Sequence, residues 1–264
     1  MAHSATMNWM PDSELWLGLA LWQLVWCFVA LLMGGLIKGA MGVGTPLLTV
    51  PMMAMVLPAH TAIVIMAVPV VVANVWQFLN ARRSHDVVAQ FWPTFVSILI
   101  FVLMGTWILS DIDERNLLRI VGTLVILFAL LQLTDLRFQI PPQRVRVTGV
   151  GFGAMAGLVG GISSFLGPLL IVFMMSLPPR SKDEFVSSIS YLYLSGVIPW
   201  AIALWYFGLL TPGLLVLSVL ATLPVTLGLL VGQRLRTSIS EQLFKLLIIM
   251  ILIASGASML WKGL

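Results

Sequence analysis

Residues 31–51 read LLMGGLIKGAMGVGTPLLTVP, an apolar run broken by Gly34, Gly35, Gly39, Gly42 and Gly44. The run before the break, from about residue 15 to residue 38, is long enough to cross a bilayer. The run after it restarts at Thr45-Pro46, an N-cap residue followed by proline at the first helical position. It ends near residue 57, and its roughly 13 residues reach ~20 Å at ~1.5 Å per residue, short of a ~30 Å hydrocarbon core. Irregular backbone at membrane depth survives only where it is buried in protein or lines a watery cavity. A long apolar helix that breaks at a glycine-rich tip and restarts too short is the mark of a helical membrane protein with an interior site.

The composition agrees. Of 264 residues, 60% are apolar and only 9% charged, and mean hydropathy is +1.06. A soluble domain carries roughly 25% charged residues, so this chain cannot clothe a water-facing surface of its own size. The formal charge of +4 comes from basic residues scattered singly between apolar runs. That pattern suits loops beside a lipid bilayer and not a phosphate-tracking patch, so no nucleic-acid partner is expected. Cys27, the single cysteine, rules out an internal disulfide or zinc cluster and reads as a small packing residue. The N-terminal stretch, with Asp12 and Glu14, lacks the positive start of a signal peptide, so the first helix is expected to be retained.

Apolar runs set against charge and Gly/Pro punctuation give ten segments: 15–38, 45–57, 61–80, 88–109, 116–135, 147–161, 167–177, 185–207, 213–233 and 242–261. Segments 45–57 and 167–177 are both short and both follow glycine-rich breaks. One constant shift lays Gly35-Leu36-Ile37-Lys38-Gly39 on Gly157-Leu158-Val159-Gly160-Gly161, and Pro46-Leu47-Leu48 on Pro168-Leu169-Leu170. Further on, with a small insertion, Gly105 falls on Gly232 and Glu114 on Glu241. Apolar helices resemble one another by chance, but co-registered glycines and prolines point to a duplication. Short, interrupted segments at matching places in two halves are the best sequence pointer to a transporter's binding site. The expected organisation is a tail (1–14), a first repeat (15–135), a linker (136–146) and a second repeat (147–264).

Lys and Arg set the orientation. With the N-terminus outside and each short segment returning to the side its predecessor left, Arg82, Arg83, Arg137, Arg144, Arg146, Arg180, Lys182, Arg234, Arg236 and Lys245 all fall inside. Arg115, Arg119 and Lys262 fall outside, which is a strong positive-inside bias. Trp16, Trp107, Trp205 and Trp261 then sit near the outer interface and Trp92 near the inner one. Repeat one starts outside and repeat two inside, so the duplication is inverted. The expected fold is an all-α integral membrane protein of two inverted repeats, each a re-entrant or broken-helix hairpin plus three transmembrane helices. Because 147–161 and 167–177 both look too short to span, re-entrant hairpins are the preferred form, with tips at Gly39–Thr45 and Gly161–Gly167 near the midplane.

Both outgoing helices would aim N-terminal N–H groups and positive dipole ends at the middle of the protein, a ready anion site. The backbone from Gly44 through Thr45 and Pro46 to Leu47, and from Gly167 through Pro168 to Leu169, would bind. Gly39, Gly42 and the hydroxyls of Thr45, Ser163 and Ser164 would complete the tips. The competing reading is that Gly35-xxx-Gly39 and Gly153-xxx-Gly157 only allow close helix packing. Lys38 is basic with apolar sequence on both sides, which marks either a site residue or a side chain snorkelling to the interface. Asn74 and Gln77 share one helical face; Ser187, Ser188, Tyr191 and Ser195 form a similar stripe. Interhelical hydrogen bonding or substrate contact accounts for either, and Pro69 and Pro199 would kink the same helices. No Asp or Glu lies deep in an apolar run, and His3, His60 and His85 fall in tails or loops. A buried carboxylate proton relay and a serine–histidine membrane protease are therefore not expected, and neither enzyme activity, cofactor nor metal is called for.

At the glycine-rich tips the chain resembles the TauE/SafE family of membrane transporters. The resemblance rests on Gly35-xxx-Gly39-xx-Gly42-x-Gly44-x-Pro46 followed by an apolar run and Pro51, with Gly157-xxx-Gly161 to Gly167-Pro168 as its second-half partner. It covers the chain from about Leu31 to Lys262. The family is associated with export of sulfite and of organosulfur anions such as sulfoacetate, which implies a small anionic substrate. The chain departs from the usual run of glycines at Val43 and Thr45, and Lys38 does not carry over from the family pattern. The resulting expectation is a carrier of the bacterial inner membrane, both termini periplasmic, exporting a small sulfur-containing anion. The alternative is a channel or carrier for another small ion or a neutral solute.

Overall fold

In the computed structural model the chain is described over residues 20–41, 44–80, 86–133, 139–178, 181–235 and 241–264. Every regular element among them is helical: α1 (Leu21–Met41), α2 (Thr45–Met53), α3 (Ala59–Ile65), α4 (Ala67–Asn80), α5 (Asp86–Asp111), α6 (Glu114–Leu131), α7 (Val145–Ser163), α8 (Leu166–Met175), α9 (Lys182–Tyr206), α10 (Pro212–Leu235) and α11 (Glu241–Gly263), with a 3-10 turn at Pro142–Arg144. Among these residues seven stretches are long and apolar enough to cross a membrane: Leu21–Ala40, Ala59–Asn80, Val87–Asp111, Pro142–Ser163, Glu184–Tyr206, Pro212–Leu235 and Leu246–Gly263. Helix α6 carries Glu114, Arg115 and Arg119 in its first turns and falls outside that set. Large apolar side chains face outward, among them Leu215, Val219 and Leu223 of α10, and Trp92, Trp107, Trp205 and Trp261 are exposed as well. That is the surface of an all-α integral membrane protein.

Two helical hairpins organise the fold. In the first, α1 and α2 run antiparallel: Gly34 lies against Thr45 and Thr49 near the tip, and Trp26 donates its indole N–H to the Met52 carbonyl (2.7 Å) nearer the base. In the second, α7 and α8 do the same, with Gly160 against Leu166 near the tip and Gly149 against the Phe173 ring further back. The short arms have 9 and 10 residues, about 14–15 Å of helix, and cannot cross a bilayer. The long arm of the second hairpin corrects an expectation. Segment 147–161 looked too short to span, but α7 has 19 residues and its apolar stretch begins at Pro142. Arg144 and Arg146 had marked a boundary, yet the helix starts at Val145 and carries Arg146 in its first turn.

Segment 61–80 also departs from expectation: it is two helices, α3 and α4, parted at Met66. Proline 69 has no N–H for the Ile65 carbonyl, its partner in an unbroken helix. Ser218 of α10 fills the gap, donating its hydroxyl to the Ile65 carbonyl (2.8 Å) and accepting from Val68 N–H (2.9 Å). The connector from α2 to α3 is held by side chains of other helices. Gln23 donates to the Val56 carbonyl (3.0 Å), and Lys262 donates from α11 to the carbonyls of Ala54 (3.3 Å) and Met55 (2.6 Å). Glu114, at the start of α6, accepts from Ala59 N–H and meets His60 Nδ1 at 2.8 Å. His60, expected in a loop, thus stands in the first turn of α3.

The hairpins interlock with the opposite half of the sequence. Helix α1 packs along α10 and α7 along α5, α4 meets α9, and α6 meets α11. Glycine makes the first two contacts backbone to backbone. A methyl group on Gly35 or Gly39 would lie 2.1 Å from the Val225 or Leu229 carbonyl oxygen, and one on Gly232 2.1 Å from that of Leu36. In the other pair, a methyl on Gly161 would lie 2.5 Å from the Val102 carbonyl oxygen and one on Gly105 2.3 Å from that of Leu158. The co-registered glycines of the sequence therefore do pack helices, as small-residue motifs do in membranes.

Candidate functional site

The two hairpin tips face one another across a cavity of about 30 Å³. Its lining comprises Gly44, Thr45, Pro46 and Leu47 from the first tip and Ser164, Phe165, Leu166, Gly167 and Pro168 from the second. Helix α1 adds Lys38, α4 adds Val70 and Asn74, and α9 adds Tyr193 and Val197.

Local chemistry explains why both tips aim inward. Gly44 caps α2 with φ 99°, a left-handed conformation that favours glycine, and Pro46 follows in the first turn. Ser164, between α7 and α8, takes the same left-handed region at φ 64° with a side chain present. Strain of this kind costs of order 1–3 kcal/mol and persists where surrounding structure imposes it, which is common at ligand sites. Each short helix starts at the cavity, and the first N–H groups of a helix have no intrahelical acceptor.

Lys38 is turned to the interior, only 6% exposed. Its ammonium donates to Asn74 Oδ1 (2.9 Å) and lies 5.6 Å from the centroid of the Tyr193 ring. Asn74 is held by its own helix, donating Nδ2–H to the Val70 carbonyl (2.7 Å). Among the described residues no carboxylate pairs with Lys38. A buried ammonium without a counter-charge is costly in a low-dielectric interior. Among the described residues the hydroxyls of Thr45, Ser164 and Tyr193, which line the same cavity, are buried and have no hydrogen-bond partner. Each of these hydroxyls is able to donate, and each belongs to a residue that lines the same cavity as the ammonium.

The remaining sequence candidates lie elsewhere. Gly39 packs on α10, and Gly42 lies outside the described residues. Ser163 turns away, donating to the Val159 carbonyl (2.6 Å) and accepting from Phe165 N–H (3.3 Å). Gln77 is half-buried and does not line the cavity. Tyr191 stacks edge-on against Phe78 at 4.9 Å, while Tyr193, absent from the sequence candidates, supplies the aromatic wall. Two residues along a helix turn a side chain by about 200°, so the two tyrosines occupy nearly opposite faces. Of the stripe that included Tyr191, Ser187 and Ser188 are buried with unpartnered hydroxyls, and Ser195 donates to the Leu192 carbonyl (2.8 Å).

No curated protein and no solved structure matches the chain. The profile of a protein family described as Sulfite exporter TauE/SafE matches residues 27–259, nearly the whole length. With its hairpin tips and interior cavity inside that span, the chain belongs to the TauE/SafE family of membrane transporters.

Proposed function

We propose that this protein exports a small sulfur-containing anion, bound between the two hairpin tips and released by rocking of the two hairpins about that point. One observation carries the reading. Among the described residues Lys38 has no carboxylate partner, two helix N-termini point at the same cavity as its ammonium, and three hydroxyls of the lining residues have no partner either. An anion would supply the missing acceptor to all of them, with charge-assisted hydrogen bonds of about 1.5–3 kcal/mol each. The family relationship supports a sulfur oxyanion such as sulfite or an organosulfonate.

The architecture behind the site is an inverted repeat of 15–135 and 147–264. Exchanging α1 with α7 and α5 with α10 turns one glycine-lined interface into the other, and α4·α9 and α6·α11 map onto themselves. The positive-inside distribution supports periplasmic termini in an inner membrane, although Arg82, Arg83, Arg137, Arg180 and Arg236, which carry much of it, lie outside the described residues.

The test is efflux from proteoliposomes loaded with sulfite. Wild-type protein should release sulfite faster than empty vesicles, and Lys38→Gln, which keeps length and polarity, should weaken apparent affinity about 10- to 150-fold, the equivalent of one charged hydrogen bond. Efflux no faster than from empty vesicles, or an affinity for Lys38→Gln within twofold of wild type, would refute the assignment.

A further inference from the structure

The charge and size of the cavity define the ligand more narrowly than the word anion does. Protonated, Lys38 contributes one positive charge at the cavity. Helices α2 and α8, of 9 and 10 residues, each direct an N-terminus at the cavity, equivalent to roughly +0.5 charge apiece. The site therefore presents about two positive charges, and among the described residues no side-chain carboxylate faces it. The polar side chains among the lining residues include groups able to donate: the Lys38 ammonium and the buried, unpartnered hydroxyls of Thr45, Ser164 and Tyr193. The side-chain carbonyl present, Asn74 Oδ1, already accepts from Lys38.

Size adds a second limit. The cavity is small, about 30 Å³, which favours a compact ligand over a long one. Gly167 sets part of this boundary, because a methyl group there would stand 2.7 Å from the Tyr193 hydroxyl oxygen. Val70, Val197 and Leu47 add apolar lining that offers no side-chain partner to a longer polar chain.

We propose that the cavity selects a compact, doubly charged oxyanion that presents only acceptors, and discriminates against single-charged anions of the same size. The proposal rests on the anion-site reading above and sharpens it. A monoanion leaves about one positive charge uncompensated in a low-dielectric interior, where Coulomb energies far exceed those in water. A dianion leaves none. By the same logic an elongated dianion, with its charges held apart by methylene groups, places one charge beyond the donors.

Isothermal titration of the purified full chain in a gluconate buffer tests this at a single pH, with ligands whose charge does not vary there: sulfate, methanesulfonate, nitrate and sulfoacetate. Sulfate should bind at least tenfold more tightly than methanesulfonate and nitrate, and more tightly than sulfoacetate. Lys38→Gln should shrink the sulfate-to-methanesulfonate ratio, because it removes the charge that the second negative charge of sulfate meets. Methanesulfonate binding within twofold of sulfate in the wild-type protein overturns the charge selection while leaving an anion site in place. Binding of none of the four overturns both readings together. The wild-type comparison decides the matter even if the Lys38→Gln protein fails to fold.

Discussion

Replacing Ser218 with alanine removes a hydroxyl that mends a broken helix from another helix. In wild type it accepts from Val68 N–H at 2.9 Å and donates to the Ile65 carbonyl at 2.8 Å, and Ser218 is fully buried. Neither backbone group has an easy substitute. Proline 69 stands where the donor for Ile65 would be, and the bilayer supplies no water. An unsatisfied buried backbone group costs about 1–3 kcal/mol, which sets an upper range of about 2–6 for two. Side-chain hydrogen bonds measured between membrane helices average only about 0.6 kcal/mol, because the unfolded state in the membrane also finds partners. Proline 69 denies that escape to the carbonyl in both states, so we expect a loss of about 2–3 kcal/mol. Reversible unfolding in mixed SDS micelles, followed by circular dichroism, gives the number. Ser218→Thr, which keeps the hydroxyl, should lose less than half as much. Pro69→Ala returns a donor to Ile65 and should reduce the cost of Ser218→Ala by about half in the double mutant. A loss under about 0.5 kcal/mol for Ser218→Ala, or no coupling to Pro69, would show that the break does not depend on this hydroxyl.

Three further outcomes are expected. Thr45→Pro removes an N–H and a hydroxyl from the first tip, and Gly167→Leu drives a side chain into the Tyr193 hydroxyl; each should abolish sulfate binding in titration, and wild-type affinity in both would place the substrate path elsewhere. Lys262→Met strips the Ala54 and Met55 carbonyls of a charged donor and, because Lys262 is exposed, should cost about 0.5–1 kcal/mol of stability in the same SDS assay; an unchanged midpoint would mean the connector is held without it. Alkaline-phosphatase fusions should be active at position 112 and silent at positions 83, 141 and 236, and activity at 141 would reverse the orientation.

What the sequence disclosed and what it hid follow from the medium. Glycine and proline act through the backbone, so Gly44, Pro46, Gly167 and Pro168 announced two tips whatever surrounds them, and the apolar runs announced the helices. Side-chain phase was far less legible. On a soluble helix the polar face identifies the outside, but lipid is as apolar as a protein interior, so periodicity barely separates buried from exposed positions. Helix α9 carries Ser187, Ser188, Ser190, Tyr191, Tyr193 and Ser195 around much of its circumference. Nothing local says that Tyr193 and not Tyr191 looks into the cavity; that depends on α8 presenting Gly167 to it. The parting of α3 from α4 was hidden for a similar reason. Pro69 was visible as a kink, but the break is completed by Ser218, some 150 residues away. Segment 147–161 was cut short by reading Arg144 and Arg146 as a loop boundary, where a helix start tolerates them.

The backbone contact between α1 and α10 also imposes an order on biogenesis. Ribosomes add roughly 5–20 residues per second, so about 10–40 s separate synthesis of the last residue of α1 from that of α10. Throughout that interval the Gly35–Gly39 face of α1 has no partner, and Lys38 stands in the membrane before Tyr193 exists to wall its cavity. The first hairpin can be threaded early but not finished early, since its surface is cut to fit a helix near the end of the chain.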